Sequence, residues 1–183
     1  MSQPDQPAGG PQRDALALLK ADHDKVKRLF REFDDLLGQD EDERKSELVD
    51  EICYELTVHS MLEEEIFYPL VRAAIDDDEL MDEADLEHAG ARQLISQLEV
   101  MYPGDDFFNA TVAVLGEEIA AHIAREESAI FDAARDAGID LDGIGDQLWS
   151  RKEELDDDLS SPPRTPDAMP AQHGGRRPGR APD

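Results

Sequence analysis

The sequence is poor in cysteine, aromatics, basic residues and long apolar runs. Its one cysteine, Cys53, allows no disulfide within the chain. Cys53 lies between Ile52 and Tyr54 in a helical pattern and reads as a small buried residue. Aromatics make up 5% of the chain, and the Val/Ile/Tyr/Thr alternations that mark strands are missing. Basic residues number 18 against 45 acidic ones, a formal net charge of -27. Nucleic acid is therefore not expected as a partner, because phosphate binding needs a basic surface; an anionic membrane is disfavoured for the same reason. No run approaches the length of a membrane span, and the opening MSQPDQPAGGPQRD has no apolar stretch of a secretory signal, so the expected location is the cytoplasm. The acid excess reads as a solvated surface or as adaptation to high salt, with Arg outnumbering Lys.

The 183 residues are 39% hydrophobic and 34% charged, which suits one soluble helical domain with a real core. Residues 1–13 and 159–183 are rich in Pro, Gly and polar residues and are expected to be disordered tails. The second tail carries Arg164, Arg176, Arg177 and Arg180, the candidate docking element for a protein partner. The domain is expected over 14–158, with its core over 14–137.

Apolar residues recur three and four apart over four long stretches. Leu16, Leu19, Val26, Phe30, Phe33 and Leu37 mark a helix from about Asp14 to Leu37, capped by Asp14 and ended by Gly38. Leu48, Ile52, Leu56, Ile66 and Leu70 mark a second from about Glu43 to Ile75, with a kink or break expected at Pro69. Ala84, Ala91, Ile95 and Leu98 mark a third from about Asp82 to Met101. Phe108, Val112, Leu115, Ile119, Ala129 and Ala133 mark a fourth from about Asp105 to Ala137, closed by Gly138. A short amphipathic segment, Leu141 to about Leu155, is expected to cross the end of the bundle. Short connections favour an all-α, antiparallel four-helix bundle of up-down-up-down order with a short extra C-terminal helix.

Each long helix interrupts its apolar stripe with polar residues: His23 on the first, His59 and Glu63 on the second, His88 on the third, His122 and Glu126 on the fourth. A lone buried histidine is ordinarily a hydrogen-bonded core residue, and a plain bundle with water-satisfied seam residues is the simplest alternative. Six such positions strain that explanation. One unpaired buried carboxylate costs several kcal/mol, against the ~5–15 kcal/mol of a whole domain. Residues four apart on a helix are stacked about 6 Å along its axis, so each His-x-x-x-Glu pair can present an imidazole and a carboxylate to one ion or to two. A pair of metal ions satisfies all six at once. A mixed nitrogen and oxygen set with open positions suits iron or manganese and admits zinc; without thiolates it is not a zinc-finger site. Ferritin-like bundles differ, using Glu-x-x-His pairs.

The stretches DHDKVKRLF, HSMLEEEIFYPL, LEHAGARQLI and HIAREESAIF, in that order, resemble the hemerythrin-like, or HHE cation-binding, domain family over residues 14–136. The resemblance implies a four-helix bundle with a non-haem di-iron centre, in which His23 and His59 serve one iron, His88 and His122 the other, and Glu63 and Glu126 bridge. It also implies binding of, or reaction with, O2, peroxide or nitric oxide. The alternative is an iron- or oxygen-responsive regulatory module without turnover. Two departures bear on this. Oxygen-storing members carry a further histidine four residues after the third, where this chain has Arg92. They place an aspartate five residues after the last histidine, where this chain has Glu127, with Glu126 at four. Glu126 is preferred because it repeats the spacing of the first pair. The missing imidazole favours small-molecule chemistry over reversible oxygen carriage. Glu64 and Glu65 are expected to face solvent and Glu87 is a candidate acceptor from a ligand imidazole; Tyr54 and Tyr68, near the seam, read as ordinary packing residues, with lining of the pocket as the alternative.

Overall fold

The computed structural model describes residues 14–160. The tail segments 1–13 and 161–183, with the tail arginines and His173, lie outside the described residues. Four antiparallel limbs form the bundle. α1 (Ala15–Asp35) is the first. α2 (Asp42–Leu62) continues through a π-helical turn, Glu63–Phe67, into α3 (Tyr68–Ala74). α4 (Asp78–Leu98) is the third. α5 (Phe108–Arg125) passes through a second π-helical turn, Glu126–Ile130, into α6 (Phe131–Asp136), and α7 (Leu141–Ser160) follows.

Local chemistry sets the ends. The Asp14 carboxylate accepts from the Ala17 amide at 2.9 Å and caps α1. Gly38 and Gly138 take φ of 79° and 67° just beyond the first and fourth limbs, a conformation that L side chains resist. Asp77 caps α4, which therefore starts at Asp78, earlier than the periodicity alone predicts. α7 is also longer than expected. It packs against α1 and α2, burying Ile144, Leu148 and Leu155.

The core is split in two. Leu16, Leu19, Leu62, Phe67, Met81 and Phe131 belong to one cluster. Val26, Phe33, Ile52, Ile95, Phe108 and Leu115 belong to the other. On α1 and α4 the seam histidine separates the two clusters in sequence, His23 between Leu19 and Val26 and His88 between Ala84 and Ala91; on the other two limbs the seam residues fall where one cluster gives way to the other.

The two π-helical turns explain where the expected stripe fails. Ile66 and Leu70 were expected inside, but Phe67 and Val71 are the fully buried residues and Leu70 is 39% exposed. Likewise Ile130 and Ala134 are buried in place of Ala129 and Ala133. In each turn one backbone bond spans five residues: Tyr68 donates to the Glu63 carbonyl and Phe131 to the Glu126 carbonyl. One extra residue rotates everything downstream by about 100°, which moves the stripe on by one. Pro69 follows the first turn and accounts for a break there, but Asp132 holds the matching place after the second. Proline is not the shared cause; the shared feature is a buried glutamate at the start of each turn.

Two expectations test this packing. Phe33 is 2% exposed and lies 6.2 Å from Phe108 between ring centroids. Phe33→Ala should cost about 3–5 kcal/mol in urea denaturation at constant metal loading. Burial pushes the Cys53 thiol up to about 12. The folded protein should therefore resist thiol reagents at pH 8 and react only after unfolding.

Candidate metal centre

The six seam residues converge. His23, His59, His88 and His122 are 1–6% exposed, and Glu63 and Glu126 are fully buried. His23 Nε2 lies 3.1 Å from His59 Nε2, and His88 Nε2 lies 3.3 Å from His122 Nε2. The Glu63 carboxylate spans the two pairs, with Oε1 3.0 Å from His59 Nε2 and Oε2 3.2 Å from His88 Nε2. Glu126 Oε2 lies 3.0 Å from His23 Nε2. Donor atoms from His23, His59, Glu63 and Glu126 gather within 4.8 Å of one another, as do those from Glu63, His88 and His122.

Ordinary α-helical geometry places these carboxylates: the Glu63 and Glu126 amides still donate to the His59 and His122 carbonyls. Each glutamate sits one turn after its histidine, and the widened backbone begins at the glutamate itself. Such turns recur at functional sites.

A ring of outer carboxylates fixes the imidazoles. Glu127 accepts from His23 Nδ1 at 3.0 Å, Glu64 from His88 Nδ1 at 2.9 Å, and Glu87 from His122 Nδ1 at 2.9 Å. A carboxylate only accepts, so Nδ1 carries the proton in these three rings and a neutral ring aims the Nε2 lone pair inward. Cations hold the ring in turn. Lys20 and Lys27 bind Glu127, Arg92 binds Glu64, and Arg125 binds Glu87. Glu64 and Glu65 are exposed as expected, but each is engaged: Glu64 accepts from His88 Nδ1 and Glu65 pairs with Arg151. Arg92, at the place of the absent histidine, acts on the pocket through Glu64; a guanidinium has no lone pair to offer an ion.

Sequence reasoning missed the outer roles of Glu64 and Glu127, and of Asp22, whose carboxylate lies 3.8 Å from His59 Nδ1, although the signal was present as doublets. Asp22 and Glu87 each precede a lone histidine, and Glu64 and Glu127 each follow a seam glutamate.

Electrostatics make the demand for positive charge explicit. None of the four oxygens of Glu63 and Glu126 has a hydrogen-bond partner, so their short approaches to Nε2 atoms are lone pairs facing a common point. Without a cation, protons must neutralise the cluster. Burial opposes charge on His59, but Glu63 and Asp22 outweigh it and raise its pKa to about 9. Burial and the neighbouring His59 depress His23 to about 4. Burial and the Glu63 charge push Glu126 up. The residues therefore fit a resident cation: buried, convergent and short of positive charge.

The two halves differ at one place. The Tyr68 ring stacks on His88, centroids 5.3 Å apart, with its hydroxyl 3.4 Å from His88 Nε2. The matching residue in the other half is Phe131, stacked on His23 at 5.9 Å. Tyr54 points elsewhere and donates to Asp156 at 2.6 Å. A cavity of about 20 Å³ opens against the four histidines, walled by Val26, Leu56, Ile95, Ile119 and Ile123. That is room for about one water-sized molecule.

The profile of the Hemerythrin HHE cation binding domain matches residues 14–134. The chain belongs to this family. Its fold is shared by the crystal structure of a Hemerythrin HHE cation binding domain-containing protein from Mycobacterium kansasii, an Rv2633c homologue. That likeness has a TM-score of 0.68 at 24% identity and covers 79% of this chain and 88% of that one. A protein of Nostoc sp. described as a DNA nickase is 32% identical over 119 residues, 64% of this chain. The chain spans 32% of that relative's length. Cation binding is the property the family name states, and the clustered imidazoles and carboxylates offer the donors for it.

Glu126 tests the balance. In metal-stripped protein, Glu126→Leu should raise stability to urea by about 1–3 kcal/mol, since it removes a buried carboxylate with no partner. The same change should sharply reduce the stabilisation gained on adding metal.

Proposed function

We propose that the protein is a non-haem di-iron protein that binds or reduces a small oxidant: O2, peroxide or nitric oxide. In this reading His23 and His59 would hold one iron and His88 and His122 the other, with Glu63 placed to serve both and Glu126, grouped with the first pair, as the second carboxylate expected to bridge. The observation that carries it is the Glu63 carboxylate, fully buried, with one oxygen turned toward each histidine pair. Neutral nitrogen donors mixed with carboxylates suit iron, with manganese or zinc as weaker fits. A pair of ferrous ions supplies electrons in twos to an oxidant.

The protein's own part is positioning and exclusion. The outer carboxylates hold three imidazoles in the tautomer that frees Nε2. The apolar wall of the cavity keeps bulk water out and admits only a small ligand. Tyr68 is the one phenol at the centre among the described residues, and its hydroxyl lies where it can donate to a ligand seated beside His88. Burial and the two glutamates keep that phenol protonated, with its pKa well above the usual value. Glu127, the alternative to Glu126, is engaged by His23 Nδ1, Lys20 and Lys27, which favours Glu126 as the inner carboxylate. The Nostoc relative's nickase description is not carried over: this chain spans a third of it, and a net charge of -27 opposes a phosphate backbone.

Anaerobic loading with Fe(II) should give about two irons per chain, one for each histidine pair. Peroxide should then be consumed, with a new near-ultraviolet absorption band. His59→Ala and His122→Ala should each lose iron; full retention in both would overturn the assignment. The buried uncompensated carboxylates also support a regulatory reading, because folding is then linked to metal. A large rise in melting temperature on loading, with no peroxide or nitric oxide consumed, would select it.

A further inference from the structure

Three of the four outer carboxylates are held by cations from the bundle itself. Lys20 and Lys27 of α1 hold Glu127, Arg92 of α4 holds Glu64, and Arg125 of α5 holds Glu87. The fourth is different. Asp22 faces His59, and its cation is Lys152 of α7, with Nζ 2.5 Å from Asp22 Oδ1. α7 begins beyond residue 134, where the match to the family profile ends.

His59 is also the odd imidazole. Its Nδ1 is buried without a hydrogen-bond partner, and the nearest Asp22 oxygen is 3.8 Å away. The other three Nδ1 atoms have a carboxylate at 2.9–3.0 Å. A ring that gives Nε2 to a cation keeps its proton on Nδ1, and that proton needs an acceptor. Asp22 is the acceptor within reach. To close the gap it must shift by under about 1 Å, and Lys152 is tied to it. The neighbouring Arg151 grips Glu65 at 2.8 Å, inside the π-helical turn that starts at Glu63. One stretch of α7 thus touches both the residue behind His59 and the turn that carries Glu63.

We propose that Lys152 is a positioning residue for His59, acting through Asp22, and that α7 is thereby coupled to the cation His59 holds. The inference rests on the metal reading above. Coupling is reciprocal: if docked α7 strengthens the cation site, the cation must tighten α7.

Lys152→Met, Lys152→Arg and the exposed control Glu153→Gln can be compared in the full chain, with anaerobic Fe(II) titration and amide hydrogen exchange. The Met variant should weaken one of two binding steps by about tenfold or more, the range for lost outer-layer partners. The Arg variant should restore it, and Glu153→Gln should match wild type. Iron should slow exchange across 148–156 in wild type and not in Lys152→Met. Circular dichroism of the metal-free Met variant should match wild type. Two irons bound by the Met variant with unchanged affinity, or iron that leaves exchange in α7 unaltered, would overturn the proposal while leaving the di-iron reading intact. No iron bound by wild type would overturn both.

Discussion

Two buried carboxylates that meet four imidazoles set the terms for the rest of this molecule. Apolar clusters close the layer above and below, so water cannot screen it. Coulomb repulsion is strong in such surroundings, and none of the four carboxylate oxygens has a hydrogen-bond donor to relieve it. Positive charge at the centre relieves it. The imidazoles, their outer carboxylates and the surface lysines and arginines then form alternating shells of sign, from the centre outward. The exterior acidity is a separate matter: among the described residues most acids lie outside these shells.

The two π-helical turns show how the backbone accommodates this demand. A straight helix places a residue four steps after a histidine on the same face, with the following stripe fixed. Here the glutamate keeps that place while the chain beyond it is rotated by one residue, so Phe67 and Phe131 can seal the apolar cluster beneath. The rings meet at 5.9 Å, nearly perpendicular. The same device at the same point of both hairpins ties it to the centre and not to a local breaker such as Pro69.

Much of this was legible in the sequence. Helical periodicity revealed all four limbs, and the interruptions of each stripe at His23, His59, Glu63, His88, His122 and Glu126 marked the polar layer. What escaped has identifiable causes. A π-helical turn adds a residue without altering composition, so Ile66, Leu70, Ala129 and Ala133 fitted the period and still lie off the fully buried face. Glu64 is exposed as read, but its bond to His88 escaped because that partner belongs to another helix. Lys152 was invisible because α7 follows the pattern of an ordinary amphipathic segment, and nothing local ties it to Asp22.

The glutamates are exchanged between hairpins. Glu126 and Glu127 of the second hairpin face His23 of the first, and Glu63 and Glu64 of the first face His88 of the second. Neither hairpin holds a finished set of donors. During synthesis the first hairpin emerges with Glu63 beside His59 but with no carboxylate at His23, and the layer closes only after residue 127 has left the ribosome. Cation capture therefore waits for the fourth limb, and a chain truncated within that limb would be left with an unbalanced polar layer inside.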